Sequence, residues 1–237
     1  MEEEKLKNIN NYLDRLRRSV FKPVYDDLTI EKNYNSHGNL ITEIGNILMK
    51  KEGKEFIIDD NNKAVLRFLL YYFNECELFS TIFPEKKYSL NNQILLCGKP
   101  GTGKTIIMQI FSEYLKATEN PKSYNCTSVS KMLNYYKIHN HLDKYTYNEN
   151  AGGFEGKPSS YCVNDIGLDS YKHFGTDVKI FVDEFLHSRN EIFIESGKVC
   201  HVTTNLSGSQ INTKFDERLI DRFKTYNIIH LTGESRR

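Results

Sequence analysis

The stretch Gly98-Lys99-Pro100-Gly101-Thr102-Gly103-Lys104-Thr105 restricts this chain more than any other. Its pattern, G-x-x-x-x-G-K-[ST], is useful only where a strand feeds into it and a helix leaves it. Both flanks are present. Gln93-Ile94-Leu95-Leu96-Cys97 is a short apolar run suited to a buried parallel strand, and from Ile106 to Lys116 the residues Ile107, Ile110, Phe111 and Tyr114 recur at helical spacing. Glycines let successive N–H groups curl around a phosphate, and the helix N-terminus adds a favourable dipole. Lys104 then supplies charge to the β- and γ-phosphates, the Thr105 hydroxyl can ligate Mg²⁺, and Ile106 completes the turn into the helix. The loop therefore predicts binding of a nucleoside triphosphate, ATP with Mg²⁺, to residues 98–106.

At 237 residues the chain can hold one α/β domain and a modest extension. A net charge of +1 gives no global basic field, so any nucleic-acid contact has to be local or supplied by a partner. The five cysteines, Cys76, Cys97, Cys126, Cys162 and Cys200, lack C-x-x-C spacing and indicate neither a disulfide framework nor a zinc site. The acidic start, Met1 to Lys5, is not a signal peptide, and no run approaches the ~20 apolar residues of a membrane span. A soluble, cytoplasmic protein is expected.

Residues 5–20 read as an amphipathic helix, with Leu6, Ile9, Leu13, Leu16 and Val20 at spacings of three and four. That stripe either packs on its own domain or docks into a partner's groove. Residues 21–55 read as loose connection with one short helix around 39–50. Asp59-Asp60-Asn61 is expected to cap a helix carrying Val65, Phe68, Leu69, Tyr72 and Phe73. Further on, 123–129 suggests a strand and 131–138 a helix. The expected division is 1–55 as an N-terminal helical extension and 56–237 as the nucleotide-binding domain.

Hydrolysis needs a second apolar strand ending in acidic residues. Two segments compete, Tyr161 to Gly167 and Lys179 to Glu184. In the second, Val178, Phe181, Val182, Phe185, Leu186 and Ile192 fall at helical intervals, so 177–193 reads as a helix and Asp183 and Glu184 as its solvated residues. Spacing agrees: Val199 to Thr204 is the next strand, and the 21 residues from Glu184 to Asn205 leave a cramped crossover, against 40 from Asp165. The metal-side strand end is therefore assigned to Asn164-Asp165, with Thr105. An amide at 164 removes a full negative charge from a hard-cation site, which predicts slow hydrolysis.

Asn205 lies where ligands bind in open parallel sheets, and either contacts the γ-phosphate and lytic water or caps the next helix. In Phe215 to Phe223, Arg218 and Arg222 share a helical face, suited either to a neighbouring subunit's phosphates or to local ion pairing. Tyr226 to Leu231 is a last expected strand. Too few residues follow for a helical lid, and Arg236 and Arg237 are the late cations able to fold back toward a nucleotide.

This ordered set resembles the AAA+ helicase-loader and transposition-helper ATPases, the DnaC/IstB type. The residues that carry the resemblance are Gly98 to Thr105, Asn164-Asp165-Ile166-Gly167, Thr203-Thr204-Asn205-Leu206-Ser207, Phe215 to Phe223 and the ending Gly233 to Arg237. It spans residues 56–237 and departs from the family at Asn164, where an aspartate is usual. It implies a three-layer P-loop NTPase fold, a parallel sheet with helices on both faces, an N-terminal helical extension and little or no C-terminal lid. It further implies Asp165 as the catalytic carboxylate facing the lytic water, Asn205 as the first sensor, and Arg218, with Arg222 as second choice, as an arginine finger in a homo-oligomer. The expected partners are a replicative helicase gripped by the N-terminal helix, and single-stranded DNA. Lys131, Lys137 and Lys144 with Tyr135, Tyr136, Tyr145 and Tyr147 could offer such a strand a basic, stacking surface. A transposase partner, or a nucleotide-gated adaptor without turnover, are the alternatives.

Overall fold

A computed structural model describes residues 25–149, 157–167, 172–173 and 176–236. The expected helix at 5–20 and Arg237 lie outside them. The elements in chain order are α1 (Glu31–Met49), α2 (Lys63–Phe73), α3 (Phe79–Ile82), β1 (Gln93–Cys97), α4 (Lys104–Ala117), β2 (Asn125–Ser128) and α5 (Val129–His139). They continue with β3 (Tyr161–Ile166), β4 (Lys172–His173), β5 (Thr176–Asp177), α6 (Val178–Ser196), β6 (Cys200–Thr204), α7 (Gly208–Lys214), α8 (Glu217–Phe223) and β7 (Tyr226–His230).

Five strands form one sheet in the order β2-β3-β6-β1-β7, and every pairing in it is parallel. Alternating side chains feed two cores, one on each face. Ile94 and Leu96 of β1 pack with α1, α2 and α4, whereas Leu95 and Cys97 pack with α5, α6 and α8. Coverage on both faces explains why these strands read as unbroken apolar runs. Burial pushes the Cys97 thiol up to about 12, so it is a core residue and not a nucleophile.

Helix α6 settles the contest between the two acidic strings. The Asp177 side chain caps it by accepting from Lys179 N at 2.9 Å and Ile180 N at 3.3 Å, and Gly197 ends it at φ 68°. Asp183 and Glu184 are thus helical, as the periodicity requires. Only Glu184 is solvated, however. Asp183 is buried against α6's neighbours, its carboxylate accepts from Lys179 at 2.8 Å, and burial raises its pKa.

Two expectations before the loop need correction. The short helix at 39–50 is a 19-residue helix beginning at Glu31. It runs through Gly38 and Gly45 because packing supplies what propensity withholds: Ile41 and Gly45 face the core, and His37 Nδ1 meets the Tyr114 hydroxyl of α4 at 2.7 Å. The helix at 63–73 has Asn62 as its N-cap residue, with no side-chain cap. Asp59 instead accepts from Asn61 N and Asn62 N in a turn before the helix.

Candidate nucleotide site

The C-terminal ends of β1, β3 and β6 open into a cleft of about 890 Å³. It is lined by residues 101–107 of the glycine loop and α4, by Asn164, Asp165 and Asn205, and by Met49, Phe56, Ile57 and Arg236. Open α/β sheets place ligands at this edge. Three further pockets of the described residues are smaller, at about 320 to 380 Å³.

The loop owes its shape to its glycines. Gly101 has φ 82°, and a Cβ there would strike the Ser235 hydroxyl. Gly98 faces the Leu231 carbonyl, 2.5 Å from where a Cβ would sit. Lys104, only 4 % exposed, bends back inside the loop. Its ammonium donates to Gly98 O at 2.7 Å, Lys99 O at 2.8 Å and Asn205 Oδ1 at 2.7 Å. The lysine and the asparagine, 101 residues apart in sequence, thus meet at one point. Asn205 is not a helix cap: Ser207 caps α7, in a reciprocal capping box with Gln210.

At the end of β3 the ladder to β6 loses register. Val163 pairs with Val202, but the next pair is Ile166 with Thr204, so Asn164 and Asp165 together oppose Thr203. This is a β-bulge. Asp165 takes φ 60°, a left-handed conformation uncommon outside glycine, and the half-exposed carboxylate joins the cleft lining. Asn164 is buried, and its Oδ1 accepts from the Thr203 hydroxyl at 3.3 Å. Among the described residues no cluster of three His, Cys, Asp or Glu side chains gathers to hold a metal. Magnesium needs no such cage, since it keeps several waters and binds through one or two carboxylates plus phosphate oxygens. The Asp165 carboxylate and Thr105 hydroxyl, both in the lining, suit that mode.

The opposite wall was not legible beforehand. The segment 49–57, between α1 and α2, faces the loop, while α2 spends its apolar face on the core. The tail crosses the loop as well. Arg236 N donates to Gly101 O at 2.9 Å, and its guanidinium grips both Asp59 carboxylate oxygens at 2.8 and 2.7 Å. That guanidinium holds the Asp59 carboxyl below its ordinary range. Arg236 thereby joins the cleft lining, while Arg237 lies outside the described residues.

The two arginines of α8 differ. Arg218 is exposed, whereas Arg222 is half-buried and donates to His187 of α6, whose other ring nitrogen meets the Asp216 carboxylate at 3.0 Å. The tyrosines of 135–147 do not form an open stacking platform. Tyr145 is buried, Tyr135 stacks on His139 with centroids 4.1 Å apart, Tyr136 abuts Phe181, and the Tyr147 hydroxyl donates to Glu191.

Sheet order, glycine loop and the lysine–asparagine meeting point define a parallel α/β fold of the P-loop type. No protein-family model and no curated protein sequence matches the chain. Solved structures do. A DNA replication initiation factor superposes with TM-score 0.50 at 17% identity, over 76% of this chain and 48% of that one. The DnaC helicase loader gives TM-score 0.49 at 12% identity, over 75% and 93%. Domain III of the Thermotoga maritima replication initiation protein DnaA gives 0.49 at 18%, over 76% and 66%. The likeness is one of fold, and this chain spans about half the length of the initiation factor.

Proposed function

We propose that the chain is an ATP-binding, slowly hydrolysing AAA+ protein that loads a replicative helicase onto single-stranded DNA. The observation that carries the ATPase part is the Lys104–Asn205 contact at 2.7 Å inside the cleft. It puts a phosphate-seeking ammonium beside an amide able to orient a water. The loop amides of 98–106 would hold the phosphates, with Thr105 and Asp165 holding Mg²⁺. Bound there, the ion would offset charge on the phosphate oxygens. Asp165 would orient the lytic water and accept its proton, and Asn164 keeps that environment one charge short. Arg218, exposed on α8, is the better placed of the two arginines to reach a neighbouring copy's phosphates; Arg222 is engaged with His187.

Helicase loading rests on the resemblance of Thr203 to Ser207 and Phe215 to Phe223, and the grip on the helicase is assigned to residues 5–20. The test is ATP turnover of the purified chain alone, with single-stranded DNA, and with DNA plus a hexameric helicase. Stimulation by the helicase together with its transfer to DNA is expected. Stimulation by a transposase instead would move the chain to the transposition helpers. The amide at Asn164 favours a second reading, an adaptor gated by nucleotide binding alone. ATP-dependent helicase capture without measurable phosphate release would select it.

A further inference from the structure

A regular strand sends consecutive side chains to opposite faces, so only one of Asn164 and Asp165 could face the cleft. Both line it. The bulge makes this possible, but it also breaks the backbone ladder between β3 and β6 at that point. Two threonine hydroxyls of β6 take over. Thr203 Oγ1 accepts from Asp165 N at 3.1 Å and donates to Asn164 Oδ1 at 3.3 Å. Thr204 Oγ1 donates to Ile166 O at 2.8 Å and accepts from Leu206 N at 3.2 Å. Both threonines are fully buried. A hydroxyl donates and accepts through a single oxygen. Thr203 uses both capacities, one on the main chain of the acid and the other on the side chain of its neighbour.

We infer that Thr203 is a positioning residue of the site: its hydroxyl fixes Asp165 in the left-handed conformation and aims Asn164 and Asp165 together into the cleft. Thr203 does not line the cleft and acts only through these two residues. The inference rests on the ATPase reading for its kinetic consequence but not for its structural one.

The test compares the full chain with Thr203→Val, which keeps the shape and drops the hydroxyl, and Thr203→Ser, which keeps the hydroxyl. In Thr203→Val, kcat should fall about tenfold or more while ATP affinity changes by less than about twofold. Thr203→Ser should restore kcat to within about twofold of the parent. Independently of turnover, the Asp165 backbone amide should exchange with solvent about tenfold faster in Thr203→Val than in the parent or Thr203→Ser. Equal protection of that amide in all three proteins overturns the proposal, as does full activity of Thr203→Val. A parent that binds no ATP would instead overturn the proposed function, and the amide exchange would still decide the role of Thr203. Should Thr203→Val not fold, Thr203→Ala and Thr203→Ser are read by the same two measurements.

Discussion

The cleft has two strand ends that do different work by different means. At the end of β1 the phosphate loop is built from main chain: glycines set its curvature, and its lysine is held by the loop's own carbonyls. At the end of β3 the geometry is built from side chains, a bulge pinned by threonines of the neighbouring strand. The first wall is contiguous in sequence, eight consecutive residues from Gly98 to Thr105, with Asn205 and Arg236 bonded to it from outside. The second exists only once β6 has docked. β6 lies between them and serves both, with His201 at its start, Thr203 and Thr204 beyond, and Asn205 at the end facing Lys104. On the proposed reading, ATP binding is expected to survive changes at the second wall that abolish turnover.

Removing the loop's charge should break the first wall outright. Lys104→Ala is expected to weaken ATP binding about a hundredfold or more in equilibrium titration, since bonds to an ionised donor are the strong ones. Retained affinity would remove the basis for calling this a nucleotide site.

The shared strand can be loosened by acid. His201 is buried among Tyr72, Phe73 and Tyr124, and its Nδ1 accepts from Ile94 N at 3.0 Å. Burial, with Lys122 nearby, lowers its pKa to about 3 from 6.5. Above pH 6.5 the ring is neutral folded or unfolded, and stability is unaffected. Between 6.5 and 3 the unfolded chain binds the extra proton, so stability falls as pH falls, by about 2 kcal/mol from pH 7 to 5. Urea denaturation of parent and His201→Asn at both pH values isolates this contribution. Parallel pH dependence in the two would assign the acid sensitivity to other groups.

The point where the walls meet comes next. Asn205→Ala should lower turnover about tenfold, with a smaller change in ATP affinity, because an oriented dipole matters most where charge develops. An affinity loss matching the turnover loss would show that the asparagine only props Lys104. Asn164→Asp sharpens the second wall: a restored carboxylate should raise Mg²⁺ affinity about threefold and speed hydrolysis. No change in either would remove residue 164 from the metal's surroundings. A last comparison separates the arginines. Arg222→Ala should destabilise the fold by about 1 kcal/mol through its lost bond to His187, while Arg218→Ala should leave stability unchanged. Chemical denaturation of both variants checks this.

What was legible in the sequence follows the same division. The loop, β1, α4, β3, α6 and β6 are signalled by runs of neighbouring residues, and helical periodicity correctly rejected Asp183-Glu184 as a strand end. Helix α1 was underestimated because Gly38, Gly45 and its many polar residues carry weak helical preference, and its stability comes from α4. Asp59 was read as a cap because its true partner, Arg236, is 177 residues away. The positioning role inferred for Thr203 has no local sign. It is created by a register shift between two strands, and a single sequence does not display register.

The crossing of the tail over Gly101 has a practical side. Ser235 lies against Gly101, so a fluorophore carried by a cysteine substituted there would, on the proposed reading, sit beside the bound nucleotide and report its arrival.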